Sequence, residues 1–484
     1  MRNIAGNLTM LVDFYEITMG NGYLKCGMHD TVTYFDVFYR SNPDGGGYAI
    51  VAGLEQIIDY INDLHFTDED IEFLRGKKLF SEDFLDYLRT FRFNGDMWAI
   101  PEGTVVFPNE PLITVRARAT EAQFIETYIL MELNHQSLIA TKASRITRSA
   151  AGRPVSEFGS RRAQGANAAI YGARAAYIGG CSSTACAISD ELFGVPATGT
   201  MAHSWVQMFD DEYTAFKTYC EIYPNNATLL IDTYNVLKSG LPNAIKAFDE
   251  ILKPKGITKC AVRLDSGDIT YLSKKVRKAL DAAGWTDCKI VASNSLDEYI
   301  IRDLILQGAC VDMFGVGERL ITSKSQPVFG GVYKLVGVER PDGTIIPKIK
   351  LSENVGKITT PHFKKVYRIR GNETGKAEAD LICVHDEEID FTQPLELFDP
   401  DHTWKRKTFE NYTVTELQKP IFVGGKQVYE CPTLEEIKKH CREELEGTWD
   451  EILRFENPHN YYVDLSEKLW NVKHDLLKAQ GKAK

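Results

Sequence analysis

No stretch of this chain approaches the ~18 consecutive apolar residues that a bilayer-spanning helix requires, so no helical membrane span is expected. Met1 to Met10 lack a basic region followed by an apolar core, so no secretory signal is read there and a cytoplasmic location is expected. The ten cysteines are scattered, and none forms a Cys-x-x-Cys pair. That spacing argues against structural zinc, and the thiols are expected to be reduced and buried. Basic residues are in deficit: 56 Lys and Arg face 67 Asp and Glu, for a formal net charge of −11. This excludes non-specific nucleic-acid or anionic-membrane binding as the main role, while leaving room for a locally basic phosphate site. Internal repeats, low-complexity segments and the six-residue glycine spacing of dinucleotide-binding loops are also missing.

What remains is an ordinary soluble composition, 44% hydrophobic and 25% charged, over 484 residues. That length suits a large α/β domain with added parts. Residues 1–150 read as mixed α and β, with a helix over Asp13–Lys25, a strand over Thr31–Tyr39, short strands in Met97–Arg118 and a long connecting helix over Thr120–Arg148. Residues 151–330 alternate short β-rich runs with helical patterns. The strands are predicted at Pro154–Phe158, Ala176–Ile178, Pro196–Thr198, Thr228–Ile231, Lys259–Leu264, Lys289–Ala292 and Val311–Phe314, with helices at Ala163–Ala175, Ile269–Ala283 and Leu296–Leu306. Such alternation implies a parallel sheet, and the number of units favours an irregular (β/α) barrel over an open sheet. Residues 331–484 are expected as a C-terminal extension packing back on the N-terminal α+β domain. Its predicted elements are strands at Val332–Val338 and Pro347–Leu351, and helices at Pro432–Leu445 and Asp464–Lys478, the first with a Thr433/Glu436 capping box.

Polar and glycine residues cluster just past the predicted strand ends, where α/β barrels place their active sites. The clusters are Phe158-Gly-Ser-Arg-Arg162, Gly179-Gly180 with Ser182-Ser183-Thr184 opening a helix, Gly199-Thr-Met-Ala-His-Ser204, Asp232-Thr-Tyr-Asn235, Arg263-Leu-Asp-Ser-Gly-Asp268, Ser293-Asn-Ser295 and Gly315-Val-Gly-Glu-Arg319. Any one is ordinary turn chemistry; seven on one face point to a site. Arg161, Arg162 and Arg263 offer planar donors for phosphate or carboxylate. Gly315 and Gly317 open a helix with free backbone N–H groups, which suits phosphate. Asp232, Asp265 and Asp268 are acceptors for ribose hydroxyls or for Mg²⁺ with its waters, and Asp268 also fits a helix cap. His203 is the one histidine that falls in such a cluster. The residues by themselves call for a substrate carrying a sugar and several phosphates, and leave phosphoryl, glycosyl and phosphoribosyl transfer open.

Those motifs, in that order, resemble the nicotinate phosphoribosyltransferase family of type II phosphoribosyltransferases. The resemblance runs from Leu11-Val-Asp-Phe-Tyr-Glu-Ile-Thr-Met-Gly20 to about Thr322, through Phe38-Tyr-Arg40, Ala140-Thr-Lys142, Phe158–Gly165, Gly199–Ser204, Arg263–Asp268 and Phe314–Leu320. It implies a glycosyltransferase of NAD salvage with ligase-like coupling, joining nicotinate to phosphoribosyl pyrophosphate with ATP, Mg²⁺ and a transient phosphohistidine at His203. Catalytic roles would fall to His203, Asp232, Arg263 and Asp265. Substrate would be bound by Phe158, Arg161, Ser183, Thr184, Thr200, Ser293, Asn294, Gly315 and Gly317, and by Asp13 and Tyr15 lent across a homodimer interface. No side chain is assigned as a dedicated metal ligand. Two departures concern the base pocket: Glu157 stands where the family pattern has Asp, and Ser183-Thr-Ala-Cys186 stands where Thr-Ser-Asn is common. Nicotinamide is the alternative base. The hydroxyls of Ser182, Ser183 and Thr184 suit a carboxylate better than a neutral amide.

Overall fold

The computed structural model describes residues 6–481; Met1 to Ala5, the first half of the stretch read as lacking a secretion signal, lie outside them. The chain forms two compact units, one of the residues up to Leu138 together with those from Val328 onward, the other of Ile139–Pro327.

The first unit is built on a seven-stranded antiparallel sheet in the order 345–347, 332–339, 32–38, 113–118, 96–99, 419–423 and 426–427. N-terminal and C-terminal segments therefore share one sheet. The predicted strand at 31–39 is there because its β-branched and aromatic side chains fit a buried, central strand. The expected strand at Pro347–Leu351 ends instead at Pro347, with one further hydrogen bond from the Lys348 amide to the Val336 carbonyl at 2.9 Å. A second sheet, ordered 412–416, 364–371, 377–384 and 463–465, was not anticipated. Its strands carry many lysines, arginines and acids, which blur the alternation that marks a strand in sequence. Asp464 is in a strand, and the last helix begins only at Glu467. The Thr433/Glu436 capping box is present, satisfying amide groups at the start of the helix Leu434–Glu446.

The second unit holds a parallel sheet. Its strands are β1 (Val155–Glu157), β2 (Ser183–Thr184), β3 (Thr228–Leu230), β4 (Ala261–Leu264), β5 (Lys289–Ser293) and β6 (Met313–Val316), ordered β2-β1-β6-β5-β4-β3. Helices follow as alternation requires, among them Ala166–Ile178, Ile269–Ala282 and Glu298–Leu306. Asp268 caps the second by accepting from the Tyr271 amide at 2.9 Å.

Four expectations about this unit's strands need correction. Ala176–Ile178 is the end of a helix, not a strand; its alanines continue the helix Ala166–Ile178, which stops at Gly179. The strand of that unit is Ser183–Thr184, so these residues do not open a helix, which starts at Ala187. Pro196–Thr198 makes only one parallel bridge, Thr184 to Ala197. The chain then passes through the helices His203–Gln207 and Glu212–Ile222 before re-entering the sheet at Thr228. With that would-be strand reduced to one bridge, the sheet is an open, mixed α/β arrangement among the described residues, and the expected closed barrel is not formed by strand pairing. No helix among the described residues is long and apolar enough to cross a membrane.

Candidate active site

The carboxyl ends of β3, β4 and β5 bring four of the predicted residues into one hydrogen-bonded cluster. Arg263, on β4, donates from Nε to Ser293 Oγ at 2.8 Å, from Nη1 to Thr200 Oγ1 at 3.1 Å and from Nη2 to Asp265 Oδ1 at 2.9 Å. Ser293 also donates to the same Asp265 oxygen. One guanidinium thus fixes three loops, which a lysine with its single nitrogen does not do. Asp232, just past β3, accepts at Oδ2 from the Asp265 amide at 3.0 Å and from Ser266 Oγ at 2.6 Å. Its Oδ1 is buried without a hydrogen-bond partner. A buried carboxylate oxygen left unmatched is costly unless a ligand meets it.

His203 begins a short helix beside this cluster. Its Nδ1 lies 3.1 Å from Thr233 Oγ1, and its Nε2 lies 4.0 Å from Asp265 Oδ2. The ring is partly exposed, so one face is open to a ligand. Past β5, Asn294 and Ser295 have φ of 84° and 48°. Successive left-handed residues other than glycine are strained, and such strain collects at functional sites.

Phe158, just past β1, joins the cluster from the other side. Its amide donates to the Val316 carbonyl at 2.7 Å, and the Arg263 guanidinium lies 5.7 Å from the ring centre. Gly315 sits under the ring: a Cβ there would lie 2.5 Å from Phe158 Cδ2. Gly315 is therefore needed for close packing within β6, not as part of a helix start; only Gly317 immediately precedes the helix, Glu318–Ile321. Arg161 and Arg162 are exposed in the turn that follows.

Alternation along β1 puts Ser156 and Phe158 on one face and Glu157 on the other. Ser156 and Ser183 hydroxyls pair across β1 and β2 at 2.7 Å. Glu157 is fully buried, accepting from Thr184 Oγ1 at 2.7 Å and from the Gly159 amide. Burial pushes its carboxyl above the usual range, and those two hydrogen bonds pull it part of the way back. Glu157 and Thr184 therefore brace the loop from behind, and the serines lie on the side of Phe158. Ser156, Thr233 and Ser266 were not singled out in the sequence; Thr233 and Ser266 carry a signal only as neighbours of Asp232 and Asp265.

Asp13 and Tyr15 belong to the first unit and are exposed there, at the start of the helix Phe14–Lys25.

Comparison with known proteins decides between the reaction classes that this cluster allows. Residues 10–134 match the model of the nicotinate phosphoribosyltransferase (NAPRTase) N-terminal domain, and residues 363–473 match that of the C-terminal domain. A nicotinate phosphoribosyltransferase of Bacillus subtilis is 43% identical over 467 residues, 96% of this chain and 94% of that protein. The chain belongs to the nicotinate phosphoribosyltransferase family. The crystal structure of human nicotinic acid phosphoribosyltransferase matches with a TM-score of 0.83 at 27% identity, over 96% of this chain and all of that one. A nicotinate-nucleotide pyrophosphorylase structure from Pyrococcus furiosus matches at a TM-score of 0.69 and 25% identity, covering 92% and 99%. Likeness to nicotinate phosphoribosyltransferases thus extends along nearly the whole chain, including the stretch between the two domain models that carries the Arg263 cluster.

Proposed function

We propose that this chain is a nicotinate phosphoribosyltransferase of NAD salvage, joining nicotinate to phosphoribosyl pyrophosphate with release of pyrophosphate. The observation that carries this reading is the Arg263–Asp265–Ser293–Thr200 cluster beside Phe158, in a chain of this family. The pyridine nitrogen attacks C1 of the ribose as the C1–oxygen bond breaks, its electron pair leaving with pyrophosphate. No strong base is required, and positioning supplies much of the rate. Phe158 offers a flat face for the ring, and the hydroxyls of Ser183 and Ser156 lie on that side for the carboxylate. Arg263 and Arg161 stabilise negative charge on the leaving group. Asp232 and Asp265 favour the cationic ribose, and Gly317 and Asn294, at the ends of β6 and β5, would meet the phosphoribosyl moiety.

Mg²⁺ fits the donor set: Asp232 Oδ1 is buried and unmatched, and Mg²⁺ prefers one or two carboxylates with substrate phosphates and water. When bound, the ion supplies positive charge beside the diphosphate. ATP coupling falls to His203 as the group that is transiently phosphorylated. A phosphate there adds negative charge and acceptors next to Asp265 and alters affinity for the diphosphate. Asp13 and Tyr15 would complete the site of a second copy in a homodimer. Their surroundings support this, since Leu11, Phe14 and Met19 are exposed apolar neighbours on the same segment.

Product formation from phosphoribosyl pyrophosphate and Mg²⁺ with nicotinate, nicotinamide or quinolinate, each with and without ATP, tests the proposal. Turnover of nicotinate stimulated by ATP is expected. Preference for either other base would overturn the reading of the base pocket. Mixing Asp13→Ala with His203→Ala protein restores some ATP-coupled turnover if sites are shared, and none if each copy acts alone.

A further inference from the structure

We infer that Thr233 is a positioning residue that orients the His203 ring so that Nε2, and not Nδ1, accepts a phosphoryl group from a nucleoside triphosphate. This rests on the reading of His203 as the phosphorylated residue and says which atom reacts and what holds it.

The two ring nitrogens have different surroundings. Nδ1 lies 3.1 Å from the Thr233 hydroxyl, within hydrogen-bonding distance. A phosphoryl group on Nδ1 would displace that hydroxyl. Nε2 lies 4.0 Å from Asp265 Oδ2, too far for a hydrogen bond and near enough for electrostatic attraction. Nε2 thus faces the cluster that would bind the diphosphate, with no hydrogen-bond partner among the described residues.

Thr233 is itself held in place. The preceding Asp232 is pinned at Oδ2 by the Asp265 amide and Ser266, and the Ile231 amide donates to the Arg263 carbonyl at 3.2 Å. On the far side, Asn235 Oδ1 accepts from the Lys238 amide at 2.8 Å. A hydroxyl on so anchored a segment sets the ring's rotation and tautomer, as partners behind a functional histidine commonly do.

The proton count follows from this arrangement. Nε2 attacks with its lone pair only if the ring proton resides on Nδ1, so Nδ1–H donates to Thr233 Oγ1. The Nε2–phosphorus bond forms as the bond from the γ-phosphorus to its bridging oxygen breaks, and that electron pair leaves with the nucleoside diphosphate. The ring keeps its Nδ1 proton and becomes cationic. The Asp265 carboxylate opposes that positive charge. Transfer of the phosphoryl group to water returns the pair to Nε2 and releases phosphate.

Thr233→Val removes the hydroxyl at nearly constant shape, and Thr233→Ser retains it. Long-range nitrogen–proton spectra of protein carrying nitrogen-15 histidine, with His203 assigned by its loss in His203→Ala, report the tautomer directly. We expect Nδ1–H in wild type and in Thr233→Ser, and a shift towards Nε2–H in Thr233→Val. Phosphorylation by ATP should slow about 10- to 100-fold in Thr233→Val. Thr233→Ser should recover it, and turnover without ATP should be unchanged in both. Equal rates of phosphorylation in wild type and Thr233→Val, or an Nε2–H tautomer in wild type, overturn the assignment. A wild-type protein that takes no phosphate from ATP overturns the phosphohistidine reading beneath it, and that failure is recognised by the missing label in every variant.

Discussion

Arg263 and Phe158 form the junction of the site: the guanidinium lies 5.7 Å from the ring centre while its three nitrogens hold Asp265, Ser293 and Thr200. Lysine keeps the charge and loses the fork. Arg263→Lys is therefore expected to lower kcat/KM about 100-fold or more, in line with loss of a preorganised donor at a developing charge. Steady-state kinetics in both substrates check this; a change under about threefold would mean that the fork is dispensable.

His203 stands 4.0 Å from Asp265, and its ring meets the Thr233 hydroxyl, a side-chain contact outside the strands. Its replacement by alanine should leave the fold intact and abolish ATP consumption in step with product. Nicotinate mononucleotide and phosphate are measured in the same reaction. ATP hydrolysis that still keeps pace with product in His203→Ala would assign coupling to another residue.

Gly315 offers a test of the base platform. A methyl group added there meets Phe158 at 2.5 Å, and the ring must move. Gly315→Ala should raise the KM for nicotinate about 10-fold or more, with a smaller change in KM for phosphoribosyl pyrophosphate. Equal effects on the two constants would place Phe158 away from the base.

Much of this site was legible because most of its residues lie at or just past strand ends, where polar side chains have no packing reason to cluster, and Thr200 and His203 follow a segment that makes a single bridge. Arg263, Asp265, Ser293, Thr200 and His203 could be found that way and do meet in space. The strand at Ser183–Thr184 was misread because two hydroxyl residues before a helix look like a cap, and two residues are too few to show alternation. Ala176–Ile178 was misread because Ala, Tyr and Ile at a helix end look like a short buried strand. The roles of Thr233 and Ser156 rest on contacts across 30 and 27 residues, which local pattern does not carry. The second sheet of the first unit hides for a related reason: Arg368 is charged yet 1% exposed, so its strand shows no clean alternation.

That arginine makes a prediction about stability. Arg368 donates to both oxygens of buried Asp380, at 3.0 and 2.7 Å, and to Glu444 at 2.7 Å, and lies over the Phe107 and Tyr461 rings. Glu110 is buried alongside, its carboxyl pushed well up by burial and by Asp380. Removing the cation leaves buried acids facing one another. Arg368→Ala is expected to destabilise the protein by about 3 to 5 kcal/mol, read as a lowered thermal midpoint. A shift within error would show that the acids protonate at no cost.

Glu16 sets a pH dependence of a definite sign. It is buried, next in the helix to the exposed Tyr15, accepts from Thr127 Oγ1 at 2.5 Å and has Oε2 without a partner among the described residues. Burial raises its carboxyl from 4.5 to about 8, with Glu126 and Asp13 adding to the rise and the Thr127 hydrogen bonds opposing it. Between those two values the folded chain retains a proton that the unfolded chain has lost, so stability falls as pH rises through this window. Glu16→Gln keeps the acceptor oxygen for Thr127 and removes the charge. Thermal midpoints at about pH 5.5 and about pH 8.5 should therefore differ more in wild type than in Glu16→Gln, with the variant the more stable of the two at the higher pH. Parallel profiles would mean that Glu16 is ionised throughout, held by a charge partner that its surroundings do not supply.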